Sequence, residues 1–153
     1  MHWTTHIVAG AAMGYLIGNP RRAALFGFAS HVVFDIAPHY DPDTDIGYVM
    51  DSLAGCTALA YIAGSRRIRR SDPNKAALYG AIGSALPDME LLRKLFKDVQ
   101  SEDYMFPAHD GTLPHRQTHI AGSTVSQLLL LASLLALVVR KARRLRLKTL
   151  RQT

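Results

Sequence analysis

The sequence predicts an all-α protein, an up-and-down bundle of four to five helices embedded in a membrane. Three observations carry that expectation. Five apolar segments of helical length are separated by breaks rich in Pro, Asn and Asp. The basic residues cluster directly beside those segments. Apolar residues reach 48% while charged residues stop at 20%, below the roughly 25% usual in soluble domains. At 153 residues the chain has the length of a single domain. Its mean hydropathy of +0.04 is high for a soluble protein and low for a transporter.

The first helix is expected from about Thr4 to Gly18, with Asn19-Pro20 as its stop. The second runs from about Arg21 to Ala37 and ends before Pro38, because a residue preceding proline avoids the helical region. His39 to Asp45 is a turn-rich loop. The third helix spans about Asp45 to Ser65, with Asp45 as its N-cap. Ser71-Asp72-Pro73 opens the fourth, with the proline in its first turn. Pro87 ends or kinks that helix near Leu86, and a polar helical extension follows to Lys97. The fifth helix is expected from His115 to Arg146, with the lipid-like stretch LLLLASLLALVV at its middle. Only the third and fifth approach the roughly 20 residues of a perpendicular crossing. The N-terminus lacks a basic n-region and is not read as a cleaved signal peptide. Cys56 is the lone cysteine, which excludes a disulfide within the chain.

Alternating helix directions sort the charges. Arg21-Arg22, Arg66-Arg67-Ile68-Arg69-Arg70 and the tail from Arg140 to Arg151 fall at one end. Nearly all His and Asp fall at the other. The positive-inside rule then places the basic end in the cytoplasm of a multi-pass inner-membrane protein. Net charge is +6 and pI about 9.8. The basic residues are not interleaved with exposed aromatics, so anionic lipid is the expected partner and nucleic acid is not. The sequence carries no signal for an oligomeric state.

The chemistry lies at the His/Asp end. His31 and Asp35 are four apart, so on a helix they project from one face and can share a divalent ion. His115 and His119 repeat that spacing on the fifth helix. Asp88 ends an apolar helix, where a carboxylate is costly unless paired or metal-bound. His6 sits in the first helix at the same end. The expected ligands are His6, His31, Asp35, Asp88, His115 and His119. His39 or Asp41 is expected behind them or as general base, and Arg116 as a clamp on a substrate phosphate. Asp51 reads as a cap or as a group behind the ligands, and His2 and His109 read as bystanders. Imidazole mixed with carboxylate suits zinc, with manganese or iron as alternatives. Such a site lowers the pKa of bound water, which makes hydrolysis the natural reaction class. No Walker, Rossmann, GxSxG or HExxH pattern is present. The metal-binding domain is expected over residues 1–146 and a basic tail over 147–153.

At these residues the sequence resembles the YdjM-type family of membrane-bound metal-dependent hydrolases. The matching pieces are Thr5-His6, Ser30-His31-x-x-x-Asp35, Leu86-Pro87-Asp88 and His115-Arg116-x-x-Thr118-His119. They touch nearly every expected helix. The resemblance implies a hydrolase with the ligand set named above, similar to helical zinc-dependent phospholipase C-like proteins. It also implies that Glu90 stands in for a second aspartate after Pro87-Asp88. The expected substrate is a phosphoester of a lipid or of another membrane-proximal molecule. Two other readings stay open. One is a non-catalytic metal-binding membrane protein, structural or sensing. The other is a peripheral helical module that holds anionic lipid through its basic tail.

Overall fold

The computed structural model describes residues 2–36, 39–40, 44–65, 71–95, 103–106, 109, 112 and 119–150, without the side chains of 92–95. They form the expected all-helical arrangement: α1 (Trp3–Ile17), α2 (Pro20–Ile36), α3 (Asp45–Gly64), α4 (Asp72–Ala85), a 3₁₀ segment (Pro87–Leu95) and α5 (Ile120–Leu150).

Local chemistry sets the ends. α1 closes on Gly18, whose φ of 77° lets its N–H reach back to Gly14 O. Asn19 does more than stop α1: its side chain accepts from Arg22 N at 3.0 Å and so caps α2. The cap of α3 is Thr44 rather than the expected Asp45. Its hydroxyl accepts from Gly47 N at 3.1 Å, and Asp45 lies in the first turn. α4 stops at Ala85 because Pro87 has no N–H to continue the ladder. The expected polar extension winds as a 3₁₀ coil to Leu95 rather than as an α-helix. α5 runs unbroken to Leu150, so the expected boundary at 146 falls inside it, and residues 113–118 before it lie outside the described residues.

α4 is the centre of the bundle, and its small residues let α1 and α2 approach backbone to backbone. A Cβ on Gly10 would meet Gly80 O at 2.5 Å, and one on Gly80 would strike Gly10 O. Gly10 faces Gly80 and Gly14 faces Ala76, so α1 and α4 are antiparallel. Gly27 faces Gly80 while His31 reaches Ser84, so α2 and α4 run in parallel. The His/Asp ends of all three helices therefore lie together.

α3 and α5 lie outside this core. Gly55 is the buried residue of α3, where it admits the Trp3 ring; Ser123 and Gln127 are those of α5. Ile46, Met50, Leu53, Leu128, Leu129 and Leu135 are exposed. Both helices are long and apolar enough to cross a membrane.

At the other end, Lys141 Nζ donates to Tyr15 O at 2.9 Å and Leu16 O at 2.8 Å. An ammonium on the last carbonyls of α1 satisfies two orphan acceptors and the helix dipole together. It also brings the basic part of α5 to the end where Arg21 and Arg22 start α2. Replacing Lys141 with Met is expected to cost about 1–2 kcal/mol. Thermal unfolding would read this as a Tm lower by a few degrees.

Candidate metal centre

The site is built where three helix ends meet. α1 is anchored first. Asp51 of α3 accepts from Trp3 N at 2.6 Å and Thr4 N at 3.3 Å, capping α1 from a neighbouring helix. Trp3 Nε1 in turn donates to Ala85 O, the last carbonyl of α4, at 3.1 Å. One turn along, His6 is fully buried, its ring stacked on His31 at 3.9 Å between centroids. α2 contributes His31 and Asp35 from one face. The 3₁₀ turn after Pro87 aims Asp88 back at them. The fifth group is His109, from the segment between the 3₁₀ coil and α5.

These side chains give two groups of three donors, His6–His31–Asp35 and His31–Asp88–His109, each set of ligand atoms lying within 4.8 Å. Either group can hold a metal ion. The distances join part of both into one cage. His31 Nε2 lies 3.0 Å from Asp35 Oδ2 and 3.3 Å from Asp88 Oδ1. His109 Nε2 lies 3.2 Å from the same Asp88 oxygen and 3.9 Å from the same Asp35 oxygen. Donors about 2.0–2.1 Å from one tetrahedral zinc stand about 3.3 Å from each other. Three of the six edges of such a tetrahedron are therefore close to size, and the fourth, His109 to Asp35 at 3.9 Å, is longer. His6 Nε2 contacts the other oxygen of Asp35, at 3.1 Å. That position holds Asp35 from behind.

The tautomers fit a cation. His31 Nδ1 bonds Ser84 O at 2.8 Å, and a carbonyl only accepts, so Nδ1 carries the proton. Burial works against the charged ring, but Asp35 and then Asp88, facing Nε2, outweigh it and raise the His31 imidazole to about 9, so without an ion Nε2 holds a proton between the ring and two carboxylate oxygens. A divalent ion can take the place of that proton. His109 repeats the arrangement, with Nδ1 held by Glu90 at 2.7 Å and Nε2 turned to Asp88. Burial works against the Asp88 carboxylate, but the imidazoles of His109 and then His31 hold its carboxyl well below the usual carboxylate range. Burial likewise lowers His109, but Asp88 and then Glu90 outweigh it and raise the imidazole above its ordinary 6.5. Phe106, edge-on to His31 at 5.2 Å and to Phe28 at 5.7 Å, closes one side.

Of the expected ligands, His6, His31, Asp35 and Asp88 converge. His119 is exposed at the head of α5 and belongs to neither group. His115, Arg116 and Asp41 lie outside the described residues. His39 is fully buried but is in neither group; the adjoining Tyr40 N donates to Ser123 Oγ on α5 at 2.8 Å. Asp51 is a cap, one of the two roles expected for it. His109 is a correction: read as a bystander, it stands at the centre. It escaped because it belongs to no helical i,i+4 pair. The signal that could have found it is Tyr104-Met105-Phe106 just before it. Aromatics in a polar loop mark a segment folded onto the core, and Tyr104 and Phe106 are both buried.

No family model, curated protein or solved structure matches this chain.

Proposed function

We propose that the protein is a membrane-embedded hydrolase that uses a divalent ion, most simply zinc, held by His31, Asp88 and His109 beside Asp35, with one position left for water, to cleave a phosphoester at the membrane surface. The observation that supports this reading most is the convergence of imidazoles and carboxylates from three chain segments, with the ligand atoms of His31, Asp88 and His109 within 4.8 Å of one another. The resemblance to YdjM-type hydrolases points the same way. When bound, such an ion supplies Lewis acidity and a nucleophile from water near neutral pH. The chain's own residues do the rest. Ser84 O sets the tautomer of His31, and His6 orients Asp35. Phe28 and Phe106 keep bulk water off the imidazoles. Arg116 is the proposed clamp on substrate phosphate, and His39 or Asp41 the proposed base. Hydrolysis forms a bond from water oxygen to phosphorus, breaks the ester P–O bond and returns a proton to the leaving oxygen.

A second reading, a non-catalytic metal protein, is favoured by one feature: Asp35 Oδ2, 3.0 Å from His31 Nε2, stands where a fourth protein donor would close the shell. Turnover separates the two. The metal-loaded protein is assayed on a phosphodiester probe beside the same protein stripped by chelator. Metal-dependent release of the alcohol supports catalysis; full loading with no turnover across lipid and soluble phosphodiesters supports the structural role.

Membrane insertion through α3 and α5, with the basic end cytoplasmic, completes the proposal. Cys56 reports on it, being the lone cysteine, exposed and central in α3. In sealed vesicles a polar maleimide should leave Cys56 unmodified until detergent is added. Rapid labelling without detergent would refute insertion of α3.

Metal uptake should follow pH in a definite direction. A protonated imidazole cannot ligate, and the proton on His109 is held above its ordinary 6.5. Zinc affinity is therefore expected to rise from about pH 6 to about pH 8 and to keep rising past the pKa of a free imidazole. Competition titration with a chromogenic chelator reads this directly.

A further inference from the structure

Asp88 and Glu90 are two residues apart, and the structure gives them different work. Asp88 Oδ1 faces both His31 Nε2 and His109 Nε2. Glu90 touches neither ε nitrogen. Its Oε2 accepts from Met105 N at 2.9 Å, and its Oε1 accepts from Phe106 N at 3.1 Å and holds His109 Nδ1 at 2.7 Å. One carboxylate thus binds the backbone of the segment that carries His109 and the ring of His109 itself.

Resting on the metal-centre reading above, we infer that Glu90 is a positioning residue and not a ligand: it presets His109 to offer Nε2 to the ion. A carboxylate at Nδ1 can only accept, so the proton resides there and the Nε2 lone pair is left for a cation. An anionic partner at Nδ1 raises the basicity of the ring and strengthens the bond that Nε2 makes. Anchoring Met105 and Phe106 with the same two oxygens removes the freedom that His109, lying outside any helix, would lose on binding. The same anchor seats Phe106 against His31.

The test measures Co²⁺ binding to the full-length protein in detergent, by titration and by the visible absorption of the bound ion. Glu90→Gln keeps the side-chain size but puts an amide N–H₂ where one oxygen accepted a hydrogen bond. It is expected to weaken Co²⁺ binding about 10–100-fold while leaving the absorption at saturation unchanged, because the donor atoms stay the same. His109→Ala is expected to change the absorption itself, since a donor is lost. An unaltered affinity in Glu90→Gln would overturn the inference. So would an altered spectrum at saturation, which would make Glu90 a ligand. Failure of the wild type to bind Co²⁺ would bring down the metal centre and this inference with it, whereas binding by the wild type with an unaffected Glu90→Gln would sink the inference alone. Circular dichroism checks the fold. If Glu90→Gln does not fold, Glu90→Asp replaces it, keeping the charge but one methylene too short to hold both the backbone and His109. The same weakening at an unchanged spectrum is then expected, and undiminished affinity would overturn the inference.

Discussion

Replacing His31 is expected to abolish metal binding. His31 belongs to both donor groups and touches both carboxylates. Losing a partner behind a ligand costs about 10–100-fold in affinity, so losing the shared ligand should exceed about 100-fold. Elemental analysis of purified protein should fall from about one ion per chain to a trace, if His31, Asp88 and His109 hold a single zinc. Alanine would also take from Asp35 and Asp88 the partner they share, leaving His6 to one and His109 to the other, a cost of about 1–3 kcal/mol. His31→Asn is therefore the sharper variant. Its amide N–H₂ can keep the hydrogen bond to Ser84 O that the ring makes through Nδ1, yet it has no atom in the place of Nε2. His119→Ala is the control. His119 is exposed at the head of α5, so its loss should leave the metal content unchanged. Full metal retention by His31→Asn would refute the centre.

The second large effect comes from a residue with no functional group. Gly80 lies where α1, α2 and α4 touch. A Cβ there strikes Gly10 O, and the Gly80 carbonyl is itself the atom that Cβ groups on Gly10 and Gly27 would meet. Gly80→Val must push backbone from backbone, because no flexible side chain is present to yield. Overpacking of a tight core costs about 1–3 kcal/mol, and a clash with a carbonyl oxygen belongs at the top of that range or beyond. The consequence reaches the candidate metal centre. α1 carries His6, α2 carries His31 and Asp35, and α4 leads into Asp88, so separating them spreads the donors. Gly80→Val is expected to lose both Tm and metal, whereas Gly64→Ala, with nothing within 4 Å of the added Cβ, should lose neither. A Gly80→Val protein that melts and binds like the wild type would refute the close-packed arrangement.

Much of the architecture was legible in the residues. The stops at Asn19-Pro20 and Pro87 act through missing N–H groups and restricted φ, which are local effects. The His31/Asp35 pair follows from helical periodicity alone and appears at 3.0 Å. The remaining reach of such reasoning is short. His115/His119 has the same spacing, yet His119 is exposed, because spacing brings two side chains to one face without saying which way that face turns.

By itself, then, the sequence determined the α-helices, several of their ends, their alternation and one half of the candidate centre, because propensity, capping and periodicity act within a few residues. Only the tertiary structure decided the other half. It brought in His109 from outside the α-helices, set Glu90 against its ring, and put Lys141 on the end of α1. Those contacts join segments far apart in the chain. Their partners are chosen by how glycine-lined helices pack and by where buried charge finds its complement, and neither leaves a local pattern to read.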